Sequence, residues 1–278
     1  MAKSVFIILI SVIAFSCNSQ NNENSFSKDR ISEKKVNKTL LKIEPQETAK
    51  YPFVKSIPPV PGYVRIKTDT GSFGYWLRKL PLKTENNKLY QYNGNLKYNQ
   101  NLHFAILKFD VGKSDLQQCA DAVMRLRGEY LFAQHRYKAI HFNFLRDGKP
   151  RYFTDYAHGN TSYKKFRNYM NYIFSYANTA SLKKELNPVK NPKKNIKPGD
   201  VFIQSGRPYG HAVTVVDVAK NDKGDIIFML AQSYMPAEEI NIVKNLNNPK
   251  ISPWYNFTDT DNLIIPEWEF EYSDLRRF

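Results

Sequence analysis

The sequence predicts an α+β fold, a mixed or antiparallel sheet with a cysteine-bearing helix packed on it. Three observations carry that expectation. Short runs rich in Tyr and Phe alternate with turn signals such as Asn93-Gly94 and Asp147-Gly148, the pattern of strands joined as hairpins. From Asp115 onward, Cys119, Val123, Leu126 and Tyr130 follow the i, i+4, i+7, i+11 stripe of a helix with one buried face. The stretch from His211 to Gln232 reads as two apolar strands around "NDKG", with the histidine heading the first. With 278 residues, 42% of them hydrophobic, the chain can build a substantial core.

The chain opens on "MAKSVFIILISVIAFSC", where Lys3 precedes an apolar run from Val5 to Phe15 and Ser16 stands before Cys17. This is the layout of a secretory signal over residues 1–16, too short for a membrane span of about 20 residues. A cysteine at the cut resembles a bacterial lipobox, although Ala14 and Phe15 stand where Leu is commoner. On that reading Cys17 is the lipidated first residue of the mature protein. Residues 17–54 are polar and read as a disordered tether, and residues 55–278 as a single α+β domain.

Within the domain, a strand is expected from Tyr63, and another over "GSFGYWLRKLPLK", ended by Pro81. "LYQYNGNLKYN" reads as a hairpin and "LHFAILKFDVG" as a further strand. Ser114 and Gln117 form a capping-box pattern, so the cysteine helix is expected to start at Asp115. "KAIHFNFLRDGKPRYF" is a second hairpin. "TSYKKFRNYMNYIFSYANTASLKKEL" is a helix broken around Asn178, "NPVKNPKKNIKPGD" a basic loop, and "NLIIPEWEFEYSD" one last strand.

Charge and cysteine count narrow the chemistry. The chain carries 41 Lys and Arg against 26 Asp and Glu, a formal charge of +15. In an exported lipoprotein that excess points to acidic envelope polymers or lipid headgroups rather than nucleic acid. The chain has two cysteines, so with lipid on Cys17 the thiol of Cys119 has no disulfide partner. It is then either a buried core residue or one kept for its reactivity. His103, His135, His141 and His158 show no HExxH spacing, and there is neither a Gly-rich phosphate loop nor a GxSxG elbow. No metal site and no cofactor is expected.

Cys119, His211 and Gln232 fit a cysteine-hydrolase constellation. A cysteine in the second turn of a helix, near the positive end of the dipole, is favoured as thiolate. A histidine activates such a nucleophile, and an acceptor at its far nitrogen fixes the tautomer. If the hairpin pairs Lys220 with Asp225, Gln232 faces Val213 and lies within side-chain reach of His211 on one face. Asp217 would share that face but lie six residues, about 20 Å, along the strand. Each residue alone also fits a packing role. Arg125 and Arg127 are candidates for binding substrate carboxylates, with a solvated helix face as the alternative, and Gln117 or Gln118 for an oxyanion donor.

"GYWLRKLPL", "DLQQCADAVMRLRGEYL", "GDVFIQSGRPYGHAVTVVDVA" and "LAQSYMPAEEI" closely resemble a bacterial lipoprotein family known as domain of unknown function 4846, over roughly residues 55 to 275. "KPGDVFI" followed by "GHAVTVVDV" is more loosely similar to the histidine hairpin of papain-like cell-wall peptidases of the NlpC type. That similarity implies a papain-like core with insertions, in which Cys119, His211 and Gln232 take the nucleophile, base and orienting positions. "QQCADAV" departs from the usual Asp-Cys-Ser-Gly context, the 92-residue separation of Cys119 from His211 holds an extra hairpin and helix, and Gln is a less usual third member.

The expected protein is therefore an envelope lipoprotein of a Gram-negative type of cell, anchored through Cys17 at the outer membrane, on its periplasmic side or surface. Its expected activity is that of a cysteine amidase or peptidase on cell-wall peptide or a related amide. Two other functions stay open: a non-catalytic lipoprotein holding glycan or peptide in the same cleft, and a structural partner of an outer-membrane complex.

Overall fold

The computed structural model describes residues 51–278. The signal segment, Cys17 and the following stretch to residue 50 lie outside the described residues. Packed chain is already present at Phe53, which bridges to Pro81, and at Val54, which is fully buried.

The first half comprises β1 (Val64–Arg65), α1 (Phe73–Arg78), β2 (His103–Ile106) and α2 (Cys119–Ala133). Next come β3 (His141–Asn143), β4 (Pro150–Tyr152), α3 (Phe153–Ala157), α4 (Tyr163–Phe174) and α5 (Thr179–Glu185). The second half adds β5 (Asn187–Pro188), α6 (Pro192–Asn195), β6 (Val201–Gln204), β7 (His211–Lys220) and β8 (Ile226–Gln232). It ends with β9 (Asn241–Val243), β10 (Trp254–Asn256), β11 (Asn262–Ile265), β12 (Trp268–Glu271) and β13 (Leu275–Arg277). The main sheet is antiparallel in order β2-β9-β8-β7-β6-β13-β5, with β1 added on β7 and β10 on β8. This is an α+β architecture whose dominant sheet is antiparallel, with α2 packed on β7. Among the described residues no helix is long and apolar enough to cross a membrane.

β7 is buried on both faces, which explains its nearly unbroken apolar sequence. Ala212, Val216 and Ala219 join the larger core under α1, α2 and α4, whereas Val213, Val215 and Val218 join a second core with Phe270 of the β11–β12 hairpin. The β7–β8 register changes in mid-strand. Lys220 pairs with Ile226 and Asp217 with Met229, but Val215 pairs with Leu230 and Thr214 with Ala231, so Val216 sits in a bulge. Asp217 consequently faces the helix side, where it accepts from Arg65 and from Arg78 of α1. The expectation that Asp217 shares a face with His211 is corrected by that extra residue.

Two helix assignments also change. "GSFGYWLRK" is helical because Ser72 Oγ accepts from the Tyr75 amide and Phe73 and Leu77, one turn apart, bury together. The cysteine helix starts at Cys119, not Asp115. Gln118 is its N-cap, in a capping box with Asp121. Asp115 is unavailable to the helix because its carboxylate accepts from the Ala237 amide (2.7 Å) and from Gln118 Nε2 (3.0 Å), tying this loop to the segment after β8. The break near Asn178 separates α4 from α5, with Asn178 Oδ1 capping the second helix. The expected last strand is a hairpin, β11 and β12, turning through Pro266 and Glu267.

Candidate functional site

A cavity of about 330 Å³ opens where the start of α2, the start of α5 and the head of β7 converge. Cys119 and His211 both line it, beside Tyr234 and Trp268. Cys119 is the first helical residue of α2, not a member of its second turn. Its Sγ lies 3.8 Å from the Gly210 carbonyl and also meets the backbone amides of Ala120 and Ala212 and its own. The thiol thus sits against the backbone on either side of His211. Gly210 makes this approach possible, since a Cβ there would run into the Gln204 carbonyl and the Thr179 hydroxyl.

His211 is 2% exposed, stacked on Phe270 and packed edge-on by Tyr234. Its Nε2 lies 2.9 Å from Gln232 Oε1. The amide of Gln232 is oriented from its far side, because Nε2 donates to Glu267 Oε2 at 2.9 Å and a carboxylate only accepts. Gln232 must therefore present its carbonyl to the histidine. His211 accordingly carries its proton on Nε2, leaving the Nδ1 lone pair free to act as a base. Lys97 Nζ closes the relay, 2.7 Å from Glu267 and 3.0 Å from Glu238. Ser233, the next residue along, donates to the Gln117 carbonyl at 2.7 Å. The dipeptide Gln232-Ser233 thus holds both the imidazole and the loop that delivers Cys119.

Burial dominates the electrostatics. It pushes the Cys119 thiol up to about 11, assisted by the Asp121 carboxylate and opposed by the backbone amides. It pulls His211 down to about 4 against the favourable Gln232 contact. The resting pair is thus neutral thiol and neutral imidazole, and the expectation of a thiolate stabilised by the helix N-terminus is reversed. Asp121 is itself pushed well above the usual carboxylate range by burial, opposed by the Gln118 amide.

Arg125 and Arg127 do not enter the cavity. Arg125 is fully buried and donates to Glu129 (2.6 Å) and Gln117 (2.7 Å) beneath Phe109. Arg127 stacks over Phe73, Tyr130 and Phe278. Both arginines are engaged in packing contacts away from this cavity. Of the two glutamines considered as oxyanion donors, Gln118 lines the cavity whereas Gln117 is buried against Arg125. Sequence reasoning missed Glu267 and Lys97. Glu267 was legible in principle, because Leu263 and Ile265 alternate up to Pro266-Glu267 and Trp268 and Phe270 alternate after it, the mark of a two-residue hairpin loop. Lys97 carried no such signal, its role being set by contacts 141 and 170 residues away.

No curated protein and no solved structure matches the chain. A family model does match, over residues 54–162 and 149–277, which together span most of the sequence. The chain belongs to the family described as Domain of unknown function (4846).

Proposed function

We propose that this protein is a cysteine amidase or peptidase with a papain-like (NlpC-type) core, acting on cell-wall peptide or a related amide. One observation carries the reading: Cys119 opens a helix against the backbone flanking His211, whose tautomer Gln232 fixes from the other side. In the first step Sγ attacks the amide carbon while the thiol proton passes to His211 Nδ1, and the carbonyl π electrons move to oxygen. Collapse breaks the C–N bond, and His211 returns that proton to the leaving amine. A water then attacks the thioester, with His211 again accepting the proton. Collapse of that intermediate breaks the C–S bond, His211 returns the proton to Sγ, and the carboxylic acid leaves with the thiol restored. Because the resting pair is neutral, His211 works as a general base during attack, without a preformed ion pair. The Cys119 amide and the Gln118 side chain are the donors available to the developing oxyanion.

The envelope address belongs to the same proposal, with lipid on Cys17 as the membrane anchor and the basic surface meeting acidic envelope polymers or headgroups. A second reading, a non-catalytic lipoprotein holding glycan or peptide in the same cavity, is favoured by the high pKa of the thiol. The two separate when purified stem-peptide fragments are incubated with the full chain and new amino groups are followed by mass spectrometry. Amidase action predicts product with the wild type and none with Cys119→Ser or His211→Ala. Retained binding without product in the wild type would favour the binding module.

A further inference from the structure

The charge lining the cavity is opposite in sign to that of the molecule. The chain carries +15 overall, yet among the described residues no Lys or Arg lines the cavity, and the carboxyl side chains that do are Asp115 and Asp121. Lys97 comes near but is held between Glu238 and Glu267 and lies over the Tyr234 ring. Asp115 is exposed and uses its Oδ1 to accept from Ala237 and Gln118, which leaves Oδ2 for a ligand. Asp121 is 7% exposed, and its Oδ1 is buried with no hydrogen-bond partner. A buried carboxyl oxygen in that condition is an unmet acceptor that a ligand donor would satisfy. The walls are aromatic, with Tyr209, Tyr234 and Trp268, whose ring faces attract cations. The α5 amides at Ala180 and Ser181, which would favour an anion, are already taken by Asn178.

We infer that the cavity binds its ligand through a primary ammonium group, held by Asp115 and Asp121 against the aromatic wall, and rejects anionic groups at this subsite. The inference rests on the proposed site for its location but not on turnover, because an ammonium ligand suits the cavity whether or not the amide is cleaved. It also separates two roles that overall charge had merged: the basic exterior faces acidic surroundings, and the cavity selects a cation.

The test uses full-length Cys119→Ala protein, which binds without reacting, and four probes titrated by calorimetry or ligand-observed NMR. Nα-acetyl-lysinamide carries a side-chain ammonium, alaninamide an α-ammonium, Nα-acetyl-norleucinamide no charge, and Nα-acetyl-glutamic acid amide a carboxylate. At least one ammonium probe should bind roughly tenfold more tightly than the norleucine probe, and the glutamate probe should bind most weakly. Which ammonium probe wins identifies a side-chain or an amino-terminal source. Asp115→Asn should erase most of that preference, since its retained Oδ1 still accepts from Ala237. Asp121→Asn, checked for folding by its circular dichroism, should do the same. Equal or tighter binding of the glutamate probe would overturn the inference, as would failure of all four to bind. Absence of amide cleavage in the wild type with the ammonium preference intact would remove the amidase reading alone.

Discussion

Gln232 grips His211 with one end of its amide and Glu267 with the other, each contact 2.9 Å long. Because Glu267 accepts only, the amide cannot turn over without placing its NH2 against the histidine and its carbonyl against a carboxylate. Two strands and a hairpin loop thereby set the position of one proton on one ring, and with it the basicity of Nδ1.

That relay predicts a specific tautomer. In 15N-histidine NMR spectra of the wild type, His211 should show a protonated Nε2 and an unprotonated Nδ1 between pH 6 and 8. Gln232→Ala should mix the tautomers, destabilise the fold by about 1–3 kcal/mol through the unpartnered ring N–H, and lower any amidase rate on the order of 100-fold. Glu267→Gln should weaken the preference more mildly. A wild-type spectrum with Nδ1 protonated would remove Gln232 from the orienting role.

Cys119 should alkylate slowly at neutral pH. With the thiol pushed up to about 11 by burial, the iodoacetamide rate should climb about tenfold per pH unit from 7 to 9, with no plateau below pH 7. Asp121→Asn should shift the curve toward lower pH, because that carboxylate is the second cause of the high value. A low-pH plateau that disappears in His211→Ala would instead reveal a thiolate–imidazolium pair.

The sequence made the site's members legible to different depths. The order of Cys119, His211 and Gln232 along the chain was sufficient to suggest the constellation, since a hairpin of known turn brings residue 232 beside residue 211. The bulge at Val216 was invisible, because a single extra residue leaves an all-apolar strand all apolar, and it moved Asp217 to the opposite face. The late start of α2 was hidden as well. Ser114 and Gln117 fit a capping box on paper, but Asp115 is recruited by Ala237, a contact spanning 122 residues. Arg125 and Arg127 looked like a surface pair, and only tertiary packing showed one buried in ion pairs and the other under three aromatic rings.

Asp217 should be a stability hot spot remote from the chemistry. It is fully buried and bound by two arginines, Arg65 and Arg78, each at 2.5 Å. Asp217→Asn keeps the volume but leaves both guanidinium groups without a counter-charge. A loss of about 3–5 kcal/mol in urea unfolding is expected, with the m-value unchanged. The affinity of the cavity for small ligands should be unaffected under conditions where the variant is folded. A loss below about 1 kcal/mol would show that the ion pairs do not hold α1 and β1 to β7.

Glu185 supplies a pH signature with a definite sign. Burial raises its carboxyl to about 7, opposed only by the Asn143 amide that it accepts, whereas an unfolded glutamate titrates near 4.3. Between those values the folded state binds more protons at this position than the unfolded state. Its contribution to stability is therefore fully present below about pH 4 and is lost as pH rises through 7. The loss is on the order of 3 kcal/mol, because each pKa unit corresponds to about 1.4 kcal/mol. His103 and His211, both pulled down to about 4 by burial, act in the opposite direction over part of the same range, so the total pH profile of the wild type is not diagnostic. The difference between wild type and Glu185→Gln is diagnostic, because His103 and His211 are common to both proteins and His141, the histidine facing Glu185 at 3.9 Å, is itself pushed toward its neutral form by burial. The carboxamide introduced by Glu185→Gln retains an oxygen for the Asn143 amide and cannot ionise. The variant should match the wild type near pH 4.5 and become progressively more stable than it toward pH 8, by up to about 3 kcal/mol in paired urea titrations. A stability difference that stays constant across that range would show that Glu185 titrates alike in both states, and that its burial does not keep the carboxyl protonated.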